Sequence, residues 1–246
     1  MLVVKNVKKS YRDQGRRRYR EVVKGVSFTC TKGESLGIIG ESGSGKSTLG
    51  RMVLGIEKPD SGRVEIDEQC VCKRDVRKGR LSAVFQNYKS SLHPYFNVEQ
   101  LLKEPLQQLK LTKQERHQEM VRLLEAVGLD ESFLKRYPQM MSGGEAQRVA
   151  IARAISTKPD YLVLDEAISA LDMSIQTQIL DLLVRLRDEY KLSYIFITHD
   201  IQAATYLCDR LFIFKDGEIQ ETLDKHQIHD AKHEYTRALL EKQLIY

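Results

Sequence analysis

The chain has 246 residues, 41% hydrophobic and 30% charged, with a formal net charge of +5. That length allows one large domain or two smaller ones, and the composition is that of an ordinary globular protein. The longest apolar runs fall far short of the roughly 18–20 residues of a membrane span, and Lys5, Lys8 and Lys9 interrupt the start where a signal peptide needs an apolar core, so we expect a cytoplasmic chain whose membrane role comes through partners.

In chain order, residues 2–7, 22–28 and 35–39 read as strands from their valine and isoleucine content, with the turn "TKGE" between the last two. "IIGESGSGKSTLGRMVLG" then gives an apolar strand end, a glycine-rich loop and a helix from about Lys46. "LSAVFQ" (Leu81 to Gln86) is another apolar segment, followed by polar loop through Pro94. Residues 98–157 read as helical throughout; "RHQEMVRLLEAVGL" has helical spacing, Gly128 lies near its end, and Pro138 interrupts later. "YLVLDEA" and "LSYIFITHD" are short apolar strands with a helical segment between them, the alternation of a parallel sheet. "LFIFKDGEIQE" reads as a hairpin turning at Asp216-Gly217. The expected architecture is a parallel-sheet core made from both ends of the chain, a helical block inserted between them, and a short helical tail.

Several clusters have plain readings. The basic runs "GRRRYR" (Gly15 to Arg20) and "KRDVRKGR" (Lys73 to Arg80) carry no nucleic-acid-binding motif and read as solvated loops. Cys70 and Cys72 lack a second pair at zinc-site spacing, so the four cysteines read as thiols of a reducing compartment. His226, His229 and His233 are spaced to share one helical face. No acidic or cysteine ligand is fixed beside them, and a solvated tail helix without a tight metal site is expected.

The chemistry begins at Gly40-Glu41-Ser42-Gly43-Ser44-Gly45-Lys46-Ser47, followed by Thr48. It satisfies G-x-x-x-x-G-K-[ST] in full, with a strand before it and a helix after it. Glycines let backbone N–H groups converge on phosphate oxygens, and the helix N-terminus adds a favourable dipole. Lys46 brings a point charge to the β- and γ-phosphates, and Ser47 offers an oxygen to Mg²⁺. "YLVLDE" places Asp165 at a strand end, where a carboxylate can hold the metal shell. Glu166 follows directly and suits a base that polarises an attacking water. A nucleoside triphosphate is bound, and the pair of carboxylates points to hydrolysis.

"MSGGEAQR" poses a separate question. Ser142 and Glu145 make a capping box that is complete in itself. Capping needs no Gly143-Gly144 pair, however, and two glycines at the positive end of a helix expose an anion site. Far in sequence from the phosphate loop, this second site fits a head-to-tail dimer, closing on the γ-phosphate held by the other subunit.

Together these residues resemble an ABC transporter ATPase over nearly the whole chain, in the right order. Besides the two Walker motifs there is Gln86 at a strand end (Q-loop) and Ser142-Gly143-Gly144-Glu145 with Gln147 and Arg148 (signature). Ser169-Ala170-Leu171-Asp172 matches the D-loop and His199 the H-loop. The resemblance implies an α/β fold: a P-loop NTPase core with parallel sheet and an N-terminal antiparallel β subdomain (1–87 and 157–225), an inserted helical subdomain (88–156) and a tail (226–246). It implies ATP and Mg²⁺ as cofactors, with Ser47, Gln86 and Asp165 at the metal and Glu166, His199, Lys46 and Gln86 serving catalysis. Tyr11 matches the aromatic that stacks on adenine, Gln86 links the γ-phosphate to the membrane subunit, and Asp172 belongs to the nucleotide-contacting set. Met141, Glu145 and Ala167 depart from the usual leucine, glutamine and proline, without removing a phosphate or metal ligand.

"VFQNYKSSLHPYFNVEQLLKEPL" and "HEYTRALL" are similar to the oligopeptide, dipeptide and nickel importer group. There, two ATPase subunits pair beneath two membrane permeases fed by an external binding protein. That resemblance places the chain at the cytoplasmic face of the cell membrane, with no nucleic-acid partner and with nickel or short peptides as cargo; "DEAISALD" is similar to the nickel importer's second ATPase. The alternative is an ABC-type ATPase of DNA repair or translation. The interval from Ser47 to Ser142 has no room for the long coiled coil of the first, and one cassette rather than two speaks against the second.

Overall fold

A computed structural model of the chain describes residues 1–12, 19–86 and 92–244, with side chains through residue 242. Part of the basic run at Gly15 to Arg20 and part of the loop before Pro94 lie outside the described residues.

Two sheets organise the fold. The smaller is antiparallel, in the order β2-β1-β4-β5, from β1 (Leu2–Arg12), β2 (Tyr19–Cys30), β4 (Ser61–Ile66) and β5 (Gln69–Cys70). The larger has the order β10-β9-β3-β8-β7-β6, from β3 (Ser35–Ile39), β6 (Leu81–Phe85), β7 (Tyr161–Asp165), β8 (Ser193–Thr198), β9 (Arg210–Lys215) and β10 (Glu218–Asp224). Strands β6, β7, β8, β3 and β9 run parallel, and β10 returns antiparallel to β9. Every residue of β3 and of β8 is buried, as expected of strands covered on both faces. The turn at Asp216 and Gly217 has φ of 49° and 86°, the left-handed pair that a tight hairpin needs.

The two N-terminal strands run longer than residues 2–7 and 22–28, because β1 and β2 keep pairing out to Arg12 and Tyr19 beyond their apolar stretches. The stretch 98–157 is not one continuous helix. It contains α3 (Val98–Leu106), α4 (Lys113–Ala126), two short 3₁₀ segments at Glu131–Lys135 and Pro138–Met140, and α5 (Gly143–Ile155). Asn97, Thr112 and Ser142 each open a new helix with a reciprocal capping box. Periodicity carried through these joints because the apolar residues on either side fill one core.

Helix α1 (Lys46–Val53) follows β3, α6 (Met173–Tyr190) joins β7 to β8, and α7 (Ile201–Leu207) joins β8 to β9. A short helix, α2 (Arg74–Arg77), precedes β6. The Cys70 and Cys72 sulfurs lie against each other at the turn after β5. Cys30 and Cys208 are free and buried, and burial pushes the Cys30 thiol up to about 12.

The tail departs from expectation. His226 and His229 lie in a 3₁₀ segment, Lys225–Asp230, whereas His233 precedes the separate helix α8 (Glu234–Leu244). The three imidazoles therefore do not share one helical face. The backbone N–H groups of Lys232 and His233 donate to the Glu221 carboxylate at 2.8 and 3.3 Å, which turns the chain between the two segments. Among the described residues no cluster of three or more His, Cys, Asp or Glu side chains is placed to hold a metal.

Tyr194 shows how the layers are tied. Its ring is fully buried in β8, and its hydroxyl donates to the Leu183 carbonyl of α6 at 2.8 Å. Tyr194→Phe should lower the unfolding free energy by about 1 kcal/mol, seen as a fall of about 2–4 °C in thermal midpoint. An unchanged midpoint would show that the bond contributes nothing.

Candidate active site

The parallel sheet places its chemistry at one edge. Gly40 follows β3, Gln86 follows β6, Glu166 follows β7, and His199 follows β8. Strand pairing matches Ile39 with Thr198 and Phe85 with Asp165, so these four residues leave adjacent strands side by side. Carboxyl ends of parallel strands are where open α/β sheets bind ligands.

The phosphate loop is shaped by close backbone packing. A Cβ at Gly40 would lie 2.0 Å from the Phe214 carbonyl oxygen, which excludes any other residue. Gly45 has φ of 107°, and its absent Cβ would meet the Val22 carbonyl oxygen at 2.4 Å. Gly43 has φ of 80° and opens onto free space, while Glu41 and Ser42 are exposed. Ser44 Oγ is buried with no hydrogen-bond partner among the described residues, an open position for a polar ligand. Lys46 is 3% exposed, and its ammonium donates to the Gly40 and Glu41 carbonyls at 2.7 and 2.8 Å. Desolvation pulls its pKa below the ordinary lysine value, against the raising fields of Glu166, Asp165 and Glu41. A buried ammonium on a glycine-rich loop suits a polyanion.

Residues 118 apart in sequence meet beside it: Ser47 Oγ donates to Asp165 Oδ1 at 2.9 Å. One hydroxyl and one carboxylate are hard oxygen donors of the kind Mg²⁺ takes. Asp165 is held above the ordinary aspartate range, chiefly by desolvation; the Ser47 hydrogen bond opposes this and the Glu166 charge adds to it. A cation at this position relieves that cost, so the donor set fits the metal.

Glu166 has φ of 48°, a left-handed conformation unusual for a side chain of its size. The backbone is held there by its N–H on the Ile197 carbonyl at 2.8 Å and by its own carbonyl, which accepts from Ser169 Oγ at 2.9 Å and from the Ser169 N–H at 3.2 Å. Such outliers cluster at functional sites. Its carboxylate lies 4.0 Å from His199 Nδ1. Gln86, expected at the metal and in catalysis, meets the residues that follow β7. Its amide donates to Ser169 Oγ at 3.2 Å, because Ser169, anchored on the Glu166 carbonyl, offers an acceptor one strand over.

The signature lies outside this cluster. A cavity of about 460 Å³ is lined by Gly40, Glu41, Ser42, Glu166, His199, Leu239 and Lys242, and no residue of 142–148 lines it. Ser142 caps α5: its Oγ accepts the Glu145 N–H at 3.3 Å, and Glu145 Oε2 accepts the Ser142 N–H at 2.7 Å. The Ser142 backbone bond is the main reason that Glu145 titrates below the usual carboxylate range, and Arg136 stands 3.4 Å from its other oxygen. The carboxylate is thus committed to the cap and partly neutralised. Asp172 opens α6 without a side-chain cap.

Leu239 and Lys242 were not foreseen in the site. Helix α8 brings them there with Tyr235, whose hydroxyl accepts the Glu41 N–H at 3.4 Å, while Lys242 lies 3.8 Å from the Glu41 carboxylate. "HEYTRALL" was the available signal, but nothing in it names Glu41 as its contact.

Residues 23–169, more than half the chain, match the family model described as ABC transporter. The chain belongs to the ABC transporter family. It is 56% identical to the metal-staphylopine import system ATP-binding protein CntF of Staphylococcus aureus, over 99% of both chains. It is 40% identical to the dipeptide transport ATP-binding protein DppF of Escherichia coli, over 88% of this chain and 67% of that one. Among solved structures it is similar to the ATP-binding cassette MJ0796, in a dimeric post-hydrolysis state bound to ADP and Pi (TM-score 0.82, 31% identity, 92% and 99% coverage). Against cbiO1 of Clostridium perfringens the TM-score is also 0.82, at 28% identity and over 98% and 94% of the two chains. This ABC protein is the ATP-binding, ATP-hydrolysing subunit of an import system. No helix among its described residues is long and apolar enough to cross a membrane.

Asp165 generates a test of the ABC site. A carboxyl whose folded pKa is raised contributes stability below its unfolded pKa and loses it as pH rises through the folded pKa, so near neutral pH the charge is kept at a cost. Asp165→Asn should therefore raise the metal-free thermal midpoint at pH 7 by about 2 °C or more. It should also reduce Mg²⁺-dependent hydrolysis by about two decades or more. A lowered midpoint would show that the ionised group is not strained by burial.

Proposed function

We propose that the chain hydrolyses ATP at a site shared between two ATPase subunits and thereby drives uptake of a metal complex through two membrane permeases. The observation that carries the site is the meeting of Ser47 with Asp165 at 2.9 Å, next to Glu166 held in a left-handed conformation and His199. In this reading Ser47 and Asp165 would hold Mg²⁺, which would supply neutralising charge to the phosphates when bound. Lys46 and the N–H groups of the loop from Gly40 to Thr48 bind the β- and γ-phosphates. Glu166 accepts a proton from the attacking water. His199 orients that water and the γ-phosphate, and Gln86 reports the state of the site to a permease through its contact with Ser169. Tyr11 supplies a face for the adenine ring.

The signature supports a second subunit. Ser142, Gly143, Gly144 and Glu145 make a capped helix N-terminus away from the chain's own phosphate cavity. The partner's triphosphate is the anion that completes it, in a head-to-tail pair. The partner is a second ATPase subunit, or another copy of this chain when it is isolated. A groove of about 380 Å³ lined by Leu81, Ser82, Ala83 and Val84 of β6 with Arg74, Lys78 and Arg153 suits contact with a permease. The working place is the cytoplasmic face of the membrane, with a binding protein delivering cargo from outside and no nucleic acid involved.

For cargo, identity of 56% to a metal-staphylopine importer subunit against 40% to a dipeptide one favours a transition metal held by a small chelator. Cells lacking this subunit should lose uptake of a radiolabelled metal chelate and retain dipeptide uptake. Restoring the chain should recover it, whereas Glu166→Gln, which should bind ATP but turn over about two to four decades more slowly, should not. Loss of dipeptide uptake with metal uptake intact would reverse the cargo assignment.

Gly144→Asp tests the shared site. It should leave this chain's own ATP affinity nearly intact and depress hydrolysis in the assembled pair. An added Cβ there meets Ile175 Cγ2 at 2.9 Å, so an unchanged thermal midpoint is the control. If the isolated subunit loses ATP binding while staying folded, the site acts on its own nucleotide and the shared arrangement is wrong.

A further inference from the structure

Tyr11 stands at the far end of β1 and is 37% exposed. Its polar end, by contrast, is tied down. The hydroxyl donates to Glu57 Oε1 and accepts from the Arg51 guanidinium at 3.4 Å. Arg51 Nε donates to the other Glu57 oxygen at 3.1 Å, and its NH2 reaches Thr48 Oγ1 at 3.1 Å. The carboxylate that receives both is only 18% exposed. Lys9 completes the cluster, with its ammonium 3.6 Å from Glu57, 3.1 Å from Asp60 and 5.7 Å from the centre of the Tyr11 ring. Glu57 titrates below the usual carboxylate range: desolvation raises it, but the hydrogen bonds of Tyr11 and Arg51 and the Arg51 and Lys9 charges outweigh that.

This network has a direction. Thr48 and Arg51 lie on α1, the helix that begins at Lys46 of the phosphate loop, and Glu57 follows the end of that helix. Tyr11 belongs to the other sheet. A phenol pinned at its oxygen loses swing at χ1, so its exposed ring is held at a set distance from the loop. Ordering a side chain in advance removes that cost from the binding step.

We propose that Glu57 and Arg51 are positioning residues for the nucleotide base, clamping Tyr11 so that its ring is a preset platform at a fixed span from the phosphate cradle. The inference rests on the reading of Tyr11 as the adenine-stacking residue. Neither Glu57 nor Arg51 touches the reacting atoms. Their effect belongs to the base and is absent from a ligand that has none.

The test compares ATP with inorganic tripolyphosphate, both with Mg²⁺, titrated calorimetrically into the purified subunit. Tyr11→Phe keeps the ring and removes the tether; Glu57→Ala removes the anchor; Tyr11→Ala removes the platform. Tyr11→Phe and Glu57→Ala should each weaken ATP by about 3- to 10-fold and leave tripolyphosphate unchanged, and the double variant should be no weaker than the worse single one. KM for ATP should rise with kcat held. Tyr11→Ala should weaken ATP further. If Tyr11→Ala weakens ATP while Tyr11→Phe does not, the platform stands and the clamp is refuted. If Glu57→Ala weakens tripolyphosphate as much as ATP, Glu57 acts through α1 and the phosphate loop, and the proposal falls. If Tyr11→Ala leaves ATP binding intact, the adenine platform itself is wrong, and the clamp with it.

Discussion

The structure depends on burying Lys46 beside Asp165. An ammonium that is 3% exposed and a carboxylate raised by desolvation are both costly away from water. Neither is stranded. Lys46 is satisfied by two carbonyls of its own loop, and Asp165 by the Ser47 hydroxyl. That arrangement needs β3 and β7 on either side of β8, which the strand order provides, and a loop tight enough for Gly40 to pack on the Phe214 carbonyl. The large buried side chains of the parallel strands hold this end of the sheet rigid, so the polar groups stay in fixed places beside the phosphate loop.

The signature helix obeys a different constraint. Its capping box satisfies its own first turn, so nothing in its local energetics demands an anion. What the glycines add is access. At Gly144 even a Cβ would crowd Ile175 of α6, so α5 and α6 approach closely where the helix begins. The Glu145 carboxylate, which in a bare helix end would repel a phosphate, is turned onto the Ser142 N–H and toward Arg136. The departure from glutamine is thereby absorbed locally.

Much of this was legible in the sequence, for physical reasons that differ by element. The phosphate loop was readable because Gly40 and Gly45 are fixed by backbone contact, and the ends of β7 and β8 because apolar runs stop where charge begins. The breaks within 98–157 were hidden, since helices that share a core preserve apolar spacing across their joints. The histidine trio misled because spacing of three and four implies one face only if a single helix is present, and Glu221 turns the chain before His233. The orientation of Gln86 toward Ser169 and the tie between Tyr11 and Glu57, 46 residues apart, are products of tertiary packing that no local pattern encodes.

The chain's end shows the same limit from the other side. "HEYTRALL" was visible as a pattern without a mechanism. In the fold its Leu239 and Leu240 join the main core, which anchors α8, and the anchored helix carries Tyr235 to the Glu41 N–H and Lys242 to the Glu41 carboxylate. Lys215 sits 4.4 Å over the Tyr235 ring, so the aromatic is held from its far face by β9. The first half of the phosphate loop therefore rests on a tail nearly 200 residues away in sequence (Glu41 and Tyr235 are separated by 194). The exposed Lys242–Glu41 pair is worth little on its own in water. The buried leucines do the anchoring, and the polar contacts follow from where those leucines hold the helix.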